Sequence, residues 1–262
     1  ALLGVPLATY VFGTFFGIIP GTLAFASVGA GLDSVITAAK ADYAACVAAK
    51  GPAACTLTIN AGSIVTKELL LAFALLSRLP ALPVAALYHD GGYEYQANPS
   101  FCGPASAANL LRSQGVAATQ RTVLAGADVR PVFGLLVGGL TLDEEAQVLR
   151  AAGQSVTVLR DLTLDEFRAR VARANDASVR YIVNFHRGPL WGSGHGHFSP
   201  ILGYLAAEDL VFVGDVNAEF QPFLVPTARL YEAMDTIDSD GNLKRGLLLV
   251  EIPPAAGAPQ AP

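Results

Sequence analysis

The sequence predicts an α+β protein: a hydrophobic helical segment over residues 1–90, a mixed helix-and-sheet domain over residues 91–254 and a disordered tail over residues 255–262. Three observations predict it. Charge is scarce before Asp90 and ordinary after it. A Pro/Gly turn at residues 99–104 opens an Ala- and Leu-rich run with helical spacing. Beyond residue 179, three apolar runs rich in Val, Ile, Phe and Tyr read as strands.

The first ninety residues carry only Asp33, Lys40, Asp42, Lys50, Lys67, Glu68, Arg78 and Asp90 as charges. The whole chain is 52% hydrophobic and 15% charged. Soluble domains carry about 25% charged residues, so part of the chain is expected in lipid. From Val5 to Leu32 nothing is charged, a run longer than the roughly 20 residues a bilayer-spanning helix needs. Pro20-Gly21 interrupts it, which implies a kink or a re-entrant turn. A second apolar run, Leu69 to Tyr88, is broken by Arg78, Pro80 and Pro83. The competing reading is a pair of buried core helices in a soluble protein. A signal peptide fits poorly, because no basic start precedes the first run. The single methionine is Met234, so Ala1 reads as the start of a fragment or a processed form.

Cys46 and Cys55 lie between the two runs. A disulfide there requires an oxidising compartment. Lys40, Lys50 and Lys67 flank the same loop and argue for the cytoplasmic side. The expectation adopted is an outside loop at a bacterial-type inner membrane, with residues 91–254 in the cytoplasm, where a reactive cysteine survives. Net charge is −5 and no basic block exists, which argues against nucleic acid as a partner.

The motif Phe12-Gly-Thr-Phe-Phe-Gly-Ile-Ile-Pro-Gly-Thr-Leu, with Val28-Gly-Ala-Gly-Leu and Thr66-Lys-Glu-Leu-Leu-Leu-Ala-Phe, resembles the C-terminal half of SNARE-associated (DedA-like) membrane domains. The resemblance implies a lipid bilayer partner for residues 1–90 and carries over no transport residue.

In the second part, Gln96-Ala-Asn-Pro-Ser-Phe-Cys102-Gly-Pro-Ala-Ser places Cys102 at a predicted helix N-terminus, with Pro104 in the first turn. The helix dipole there favours the thiolate, the nucleophilic form. The competing reading of Cys102 is a small buried hydrophobe. Arg180-Tyr-Ile-Val-Asn-Phe-His, Gly196-His197-Phe-Ser-Pro-Ile-Leu-Gly-Tyr and Leu210-Val-Phe-Val-Gly-Asp215 read as successive strands. The last two form an antiparallel pair with a turn near residues 206–209. A thiolate needs an imidazole to hold its proton, and the imidazole needs a group that fixes its tautomer. Cysteine first, then histidine and acid on adjacent strands, is the papain-like order.

The stretch Gly194-His-Gly-His-Phe-Ser-Pro-Ile-Leu-Gly-Tyr resembles phytochelatin synthases. So do Tyr231-Glu-Ala-Met-Asp-Thr-Ile-Asp238, Lys244-Arg-Gly-Leu-Leu-Leu and the Pro-Ser-Phe-Cys-Gly element. The resemblance runs from Tyr95 to Glu251 and implies a papain-like fold with Cys102, His197 and Asp215 as the triad. It implies Gln96 in the oxyanion hole, Arg187 in register as a substrate-binding cation, and Asp238 as a structural or substrate-orienting acid. The implied reaction transfers a γ-glutamylcysteinyl group from one glutathione to another, or to water, with loss of glycine. No cofactor is expected to be tightly bound; cadmium or zinc enters as thiolate complexes of the substrate. Two departures stand out. Val216 to Ala228 contains no Lys or Arg where the family carries basic residues, and Trp191-Gly192 replaces a polar pair. Weaker capture of an anionic acceptor is therefore expected, with hydrolysis outweighing chain extension.

Other candidates read as structural. Thr141 as a cap, and Thr163 with Glu166 as a capping box, mark helix starts, and Asp143-Glu144-Glu145 complements a helix N-terminus. His186, His195 and His197 make a metal site conceivable, with a loop role for His195 preferred. Asp235, Asp238 and Asp240 lack the rest of a calcium loop. Two other functions compete: a membrane-tethered peptidase that cuts peptide leaders, and a membrane transport or scaffold protein with a non-catalytic C-terminal domain.

Overall fold

The fold comes from a computed structural model, which describes residues 40, 43–51, 54, 55, 74, 75, 77–79, 82–239 and 241–253. The chain divides into two compact units, Ala1–Ser77 and Arg78–Pro262. The first apolar run, most of the DedA-like stretch beginning at Thr66, the tail and Asp240 lie outside the described residues. Among the described residues, no helix is long and apolar enough to cross a membrane. In the first unit a disulfide joins Cys46 to Cys55, a pairing the sequence left open.

The second unit begins earlier than the charge break at Asp90. Helix α1 (Pro83–Asp90) starts on a proline, whose fixed φ and missing N–H suit a first helical turn. Its Val84, Ala85 and Tyr88 are buried in the core of this unit. The end of the second apolar run is therefore a core helix, not a membrane segment: its apolar side chains pack on protein. Helix α2 (Cys102–Arg112) follows, buried at every residue from Cys102 to Leu111. A 3-10 turn (Thr122–Leu124) leads towards α3 (Leu142–Ala151). Strand β1 (Ser155–Leu159), α4 (Leu164–Val171), β2 (Val179–His186) and the short α5 (Gly188–Trp191) come next. Then come β3 (Gly196–Leu205), β4 (Leu210–Val213), β5 (Phe223–Pro226), α6 (Thr227–Met234) and β6 (Leu247–Glu251).

Thr141 caps its helix as expected and, beyond that expectation, closes a capping box with Glu144. The expected Thr163–Glu166 box forms too: the side chains of Thr141 and Thr163 accept from the backbone N–H of Glu144 and Glu166, whose carboxylates reach back. Such pairs satisfy helix-end donors that would otherwise need water.

The strands form one antiparallel sheet in the order β1-β6-β2-β3-β4-β5. The β3–β4 connection spans residues 206–209, as the sequence indicates, with Leu205 paired to Leu210. The sheet is covered on both faces. Ile182, Phe198, Leu248 and Val250 pack into a core with α1, α2 and α3. Tyr181, Val183, Leu247 and Leu249 pack into a second core with α4 and α6. Alternate residues of β2 and β6 therefore serve opposite cores, which explains why these strands read as continuous apolar runs rather than alternating ones.

Candidate active site

Cys102 is the first residue of α2 and is 8% exposed. The segment before it is pinned on both sides. Asn109 of α2 accepts from the Glu94 N–H and donates to the Glu94 carbonyl, each at 2.8 Å. The Gln96 N–H donates to the Val216 carbonyl at 2.7 Å. That last bond ties the approach to Cys102 to the chain just past Asp215.

His197 is the second residue of β3, and Asp215 lies two residues beyond β4, so the β3–β4 hairpin brings them together. His197 Nε2 is 2.9 Å from Asp215 Oδ1. This leaves Nδ1 for the sulfur. The imidazole edge packs on Phe185, its cross-strand partner, with ring centroids 5.6 Å apart.

Burial pushes the Cys102 thiol up, but the His197 hydrogen bond and charge and the N–H groups of Phe198 and Gly103 outweigh it, so the pKa lies below its ordinary value. Burial pulls His197 down, and the hydrogen bonds and charges of Asp215 and Cys102 carry it above its ordinary value. The two shifts together favour a thiolate–imidazolium pair. Burial also raises Asp215, yet His197, Arg187 and the Asn217 N–H hold its carboxyl below the usual range.

Arg187 is placed otherwise than as a substrate-binding cation. It is 7% exposed and donates from Nη2 to both oxygens of Asp215, at 2.9 and 2.8 Å. Its guanidinium lies 3.7 Å from the Phe220 ring centroid and 5.2 Å from that of Trp191. The Arg187 guanidinium is thus the cation paired with the fully buried Asp215 carboxylate. Gln96 donates from Nε2 to the Asn98 carbonyl at 3.0 Å, which leaves one amide proton, and its Oε1 is buried without a partner.

A pocket of about 410 Å³ opens beside the thiol. Gly138, Gly139 and Leu140 form one wall; Asn184, His186 and His195 contribute to the lining, as do Asp238 and Arg245. Asp238 accepts from Asn184 Nδ2 and from the Leu142 N–H, both at 2.9 Å, and from the Ser239 N–H at 2.7 Å. Arg245 Nε stands 3.8 Å from Asp238 Oδ1 and has no hydrogen-bond partner. Gly196 makes room for this guanidinium, since a Cβ there would lie 2.6 Å from Arg245 Nη2. Among the described residues no group of three or more His, Cys, Asp or Glu could hold a metal ion.

Two site residues have no role in the sequence reading. Arg245 lies in Lys244-Arg-Gly-Leu-Leu-Leu, a stretch that carries the family resemblance without a role for any one of its residues. Glu145 reads as a helix-start acid, yet it is 0% exposed and lies against the first turn of α2. The signal was present: Leu142, Glu145, Ala146 and Leu149 make one helical stripe, and the other three are buried apolar residues.

The phytochelatin synthase family model matches residues 83–247. The chain belongs to the phytochelatin synthase family. The match starts at α1, seven residues before the charge break at Asp90 and within the unit that begins at Arg78. The chain is 31% identical over 172 residues to glutathione gamma-glutamylcysteinyltransferase 3 of Lotus japonicus, covering 60% of this chain and 36% of that protein. It is 30% identical to glutathione gamma-glutamylcysteinyltransferase 1 of Triticum aestivum, covering 60% and 34%. The chain thus spans about a third of the length of these curated relatives. Among solved structures, the peptidase domain of Streptococcus ComA, a bi-functional ABC transporter, aligns at 15% identity with a TM-score of 0.42, over 61% of this chain and 97% of that one.

Proposed function

We propose that this phytochelatin synthase family member cleaves glycine from glutathione through a γ-glutamylcysteinyl thioester on Cys102. The observation that carries the reading is the linked Cys102–His197–Asp215 chain beside a pocket that also holds Asp238 and Arg245. The γ-glutamyl end of glutathione bears a free ammonium and a free carboxylate on one carbon. An acid and a base side by side suit that pair, Asp238 for the ammonium and the Arg245 guanidinium for the carboxylate.

The Cys102 thiolate attacks the carbonyl carbon of the cysteinyl–glycine amide, forming the C–S bond. The oxyanion forms within reach of the Cys102 N–H, with the spare Gln96 amide proton as second donor. His197 gives its proton to the departing nitrogen, the C–N bond breaks and glycine leaves. Asp215 holds the ring orientation throughout, and Arg187 holds Asp215. Water then attacks the thioester, passing its proton to His197, and releases γ-glutamylcysteine. The amino group of a second glutathione does the same in chain extension. Residues 216–228 carry no cation to hold that anionic acceptor, so hydrolysis dominates in this proposal. Cadmium or zinc takes part as substrate thiolate and not as a resident cofactor.

The test is to incubate the full chain with glutathione, with and without cadmium, and to identify products by mass spectrometry against Cys102→Ala. Glycine and γ-glutamylcysteine that vanish in the variant are the expected products. Oligomers as the main product would overturn the preference for water, and no Cys102-dependent product would remove glutathione as substrate.

A further inference from the structure

Glu145 is the one carboxyl beside the nucleophile to which the mechanism gives no work. It is 0% exposed, and neither carboxyl oxygen has a hydrogen-bond partner. A side chain that costs this much to bury without a partner calls for an explanation.

Its position supplies one. Glu145 sits in the first turn of α3, and its carboxyl presses on Gly103, the residue after Cys102. A Cβ on Gly103 would lie 2.6 Å from Glu145 Oε2 and 3.0 Å from Leu140 Cδ1. Only the missing side chain of glycine lets the carboxyl approach so close. The Gly103 N–H in turn is one of the groups that hold the Cys102 pKa down. The contact therefore runs from Glu145 through Gly103 to one of the donors that stabilise the thiolate.

We propose that Glu145 is a positioning residue for Cys102: a neutral carboxyl that backs the first turn of α2 and keeps the Gly103 N–H aimed at the sulfur. Burial drives its pKa well above the usual carboxylate range, and the Cys102 charge adds to this, so it keeps its proton when ordinary carboxyls have lost theirs.

The charged groups around it offer no relief. From α2 the facing group is Cys102, an anion when active. Asp238, which accepts from the Leu142 N–H at the start of α3, is another acidic side chain, and Arg245 stands 3.8 Å from it. The elements β1 and the 3-10 turn contain no ionisable residue, and the only one in β6 is the exposed Glu251. On α3 itself, Asp143 is paired with Arg160, Glu144 is held in its capping box, and Arg150 donates to the Val156 carbonyl. An ionised Glu145 would stand unpaired beside a thiolate.

The sign of the linkage follows. An acid whose pKa is higher in the folded than in the unfolded protein adds stability below the unfolded value, and that stability is lost as pH rises towards the folded value. The contribution of Glu145 to wild-type stability should therefore decline from about pH 4.5 upwards.

The proposal rests on Cys102 being the nucleophile, but its test does not need the substrate. Alkylation of Cys102 by iodoacetamide is followed against pH in the full chain, together with thermal unfolding from pH 5 to 9, for wild type, Glu145→Gln and Glu145→Ala. The neutral isostere Gln should keep the low alkylation pKa and flatten the fall of Tm with pH. Alanine should raise the alkylation pKa by about one unit, which cuts thiolate reactivity by about tenfold at any pH below both pKa values. Two results would overturn the proposal. One is a lowered alkylation pKa in Glu145→Gln, which would mean that the native residue is an anion. The other is an alanine variant that alkylates like the wild type. Since alkylation needs no glutathione, a wrong substrate assignment would leave both readouts intact.

Discussion

Arg187 shows how one residue type can fit two roles that only tertiary structure separates. In register with a substrate-binding cation of the family, it is instead buried on Asp215, with side-chain exposures of 8% and 0% for the pair. Breaking such a pair from one side leaves a carboxylate without its cation and costs about 3–5 kcal/mol. Arg187→Met should therefore lower stability by that amount in denaturant unfolding and reduce kcat by disturbing the His197 partner. A substrate-binding role predicts the reverse: near-native stability with a raised KM. The places of Cys102 at a helix start, His197 on a strand and Asp215 just past a strand end were legible because each is set by a local pattern. The partners of Arg187 and the inward turn of Glu145 were not, because both depend on which surface packs against them. Glu145 looked like a dipole-complementing acid, since its neighbours Asp143 and Glu144 are just that.

At the scale of elements, local chemistry set the boundaries and long-range packing set the neighbours. Thr141 and Thr163 announced their helices because a side-chain cap is made within the first turn. The β3–β4 hairpin announced itself by two apolar runs around a short break. The place of β6 between β1 and β2 has no local signal, for it joins strands more than sixty residues apart. That insertion matters, because the turn before β6 carries Arg245 beneath the start of β3. Gly196 is the point of closest approach: the atoms a Cβ would meet are the far end of the arginine side chain. Gly196→Ala should fold with little change in Tm while displacing the guanidinium. Its expected effect is a KM for glutathione raised tenfold or more, with kcat less affected. An unchanged KM would show that Arg245 does not hold the substrate.

For the whole molecule the decisive question is where the catalytic unit begins. Composition put the boundary at Asp90, because the apolar run before it looks alike whether it meets lipid or a protein core. The structure starts this unit at Arg78 and buries α1 within it. Tyr88 is 2% exposed and Val84 1%. Gly91 closes α1 against the end of α2, where a Cβ would lie 2.6 Å from the Arg112 carbonyl oxygen. Removing α1 strips two large side chains and opens the face of α2 that they cover. Burial of each such side chain is worth roughly 1.5–3 kcal/mol, against a domain stability of about 5–15 kcal/mol. A protein comprising residues 78–253 should therefore unfold in one cooperative transition, whereas residues 91–253 should lose several kcal/mol and expose the core beneath α2. Because that core continues to Cys102 through Ala105 and Ala108, the shorter protein should also lose the low thiol pKa of the nucleophile. Equal stability and equal Cys102 alkylation in the two proteins would mean that α1 is an accessory and that the boundary belongs at Asp90 after all.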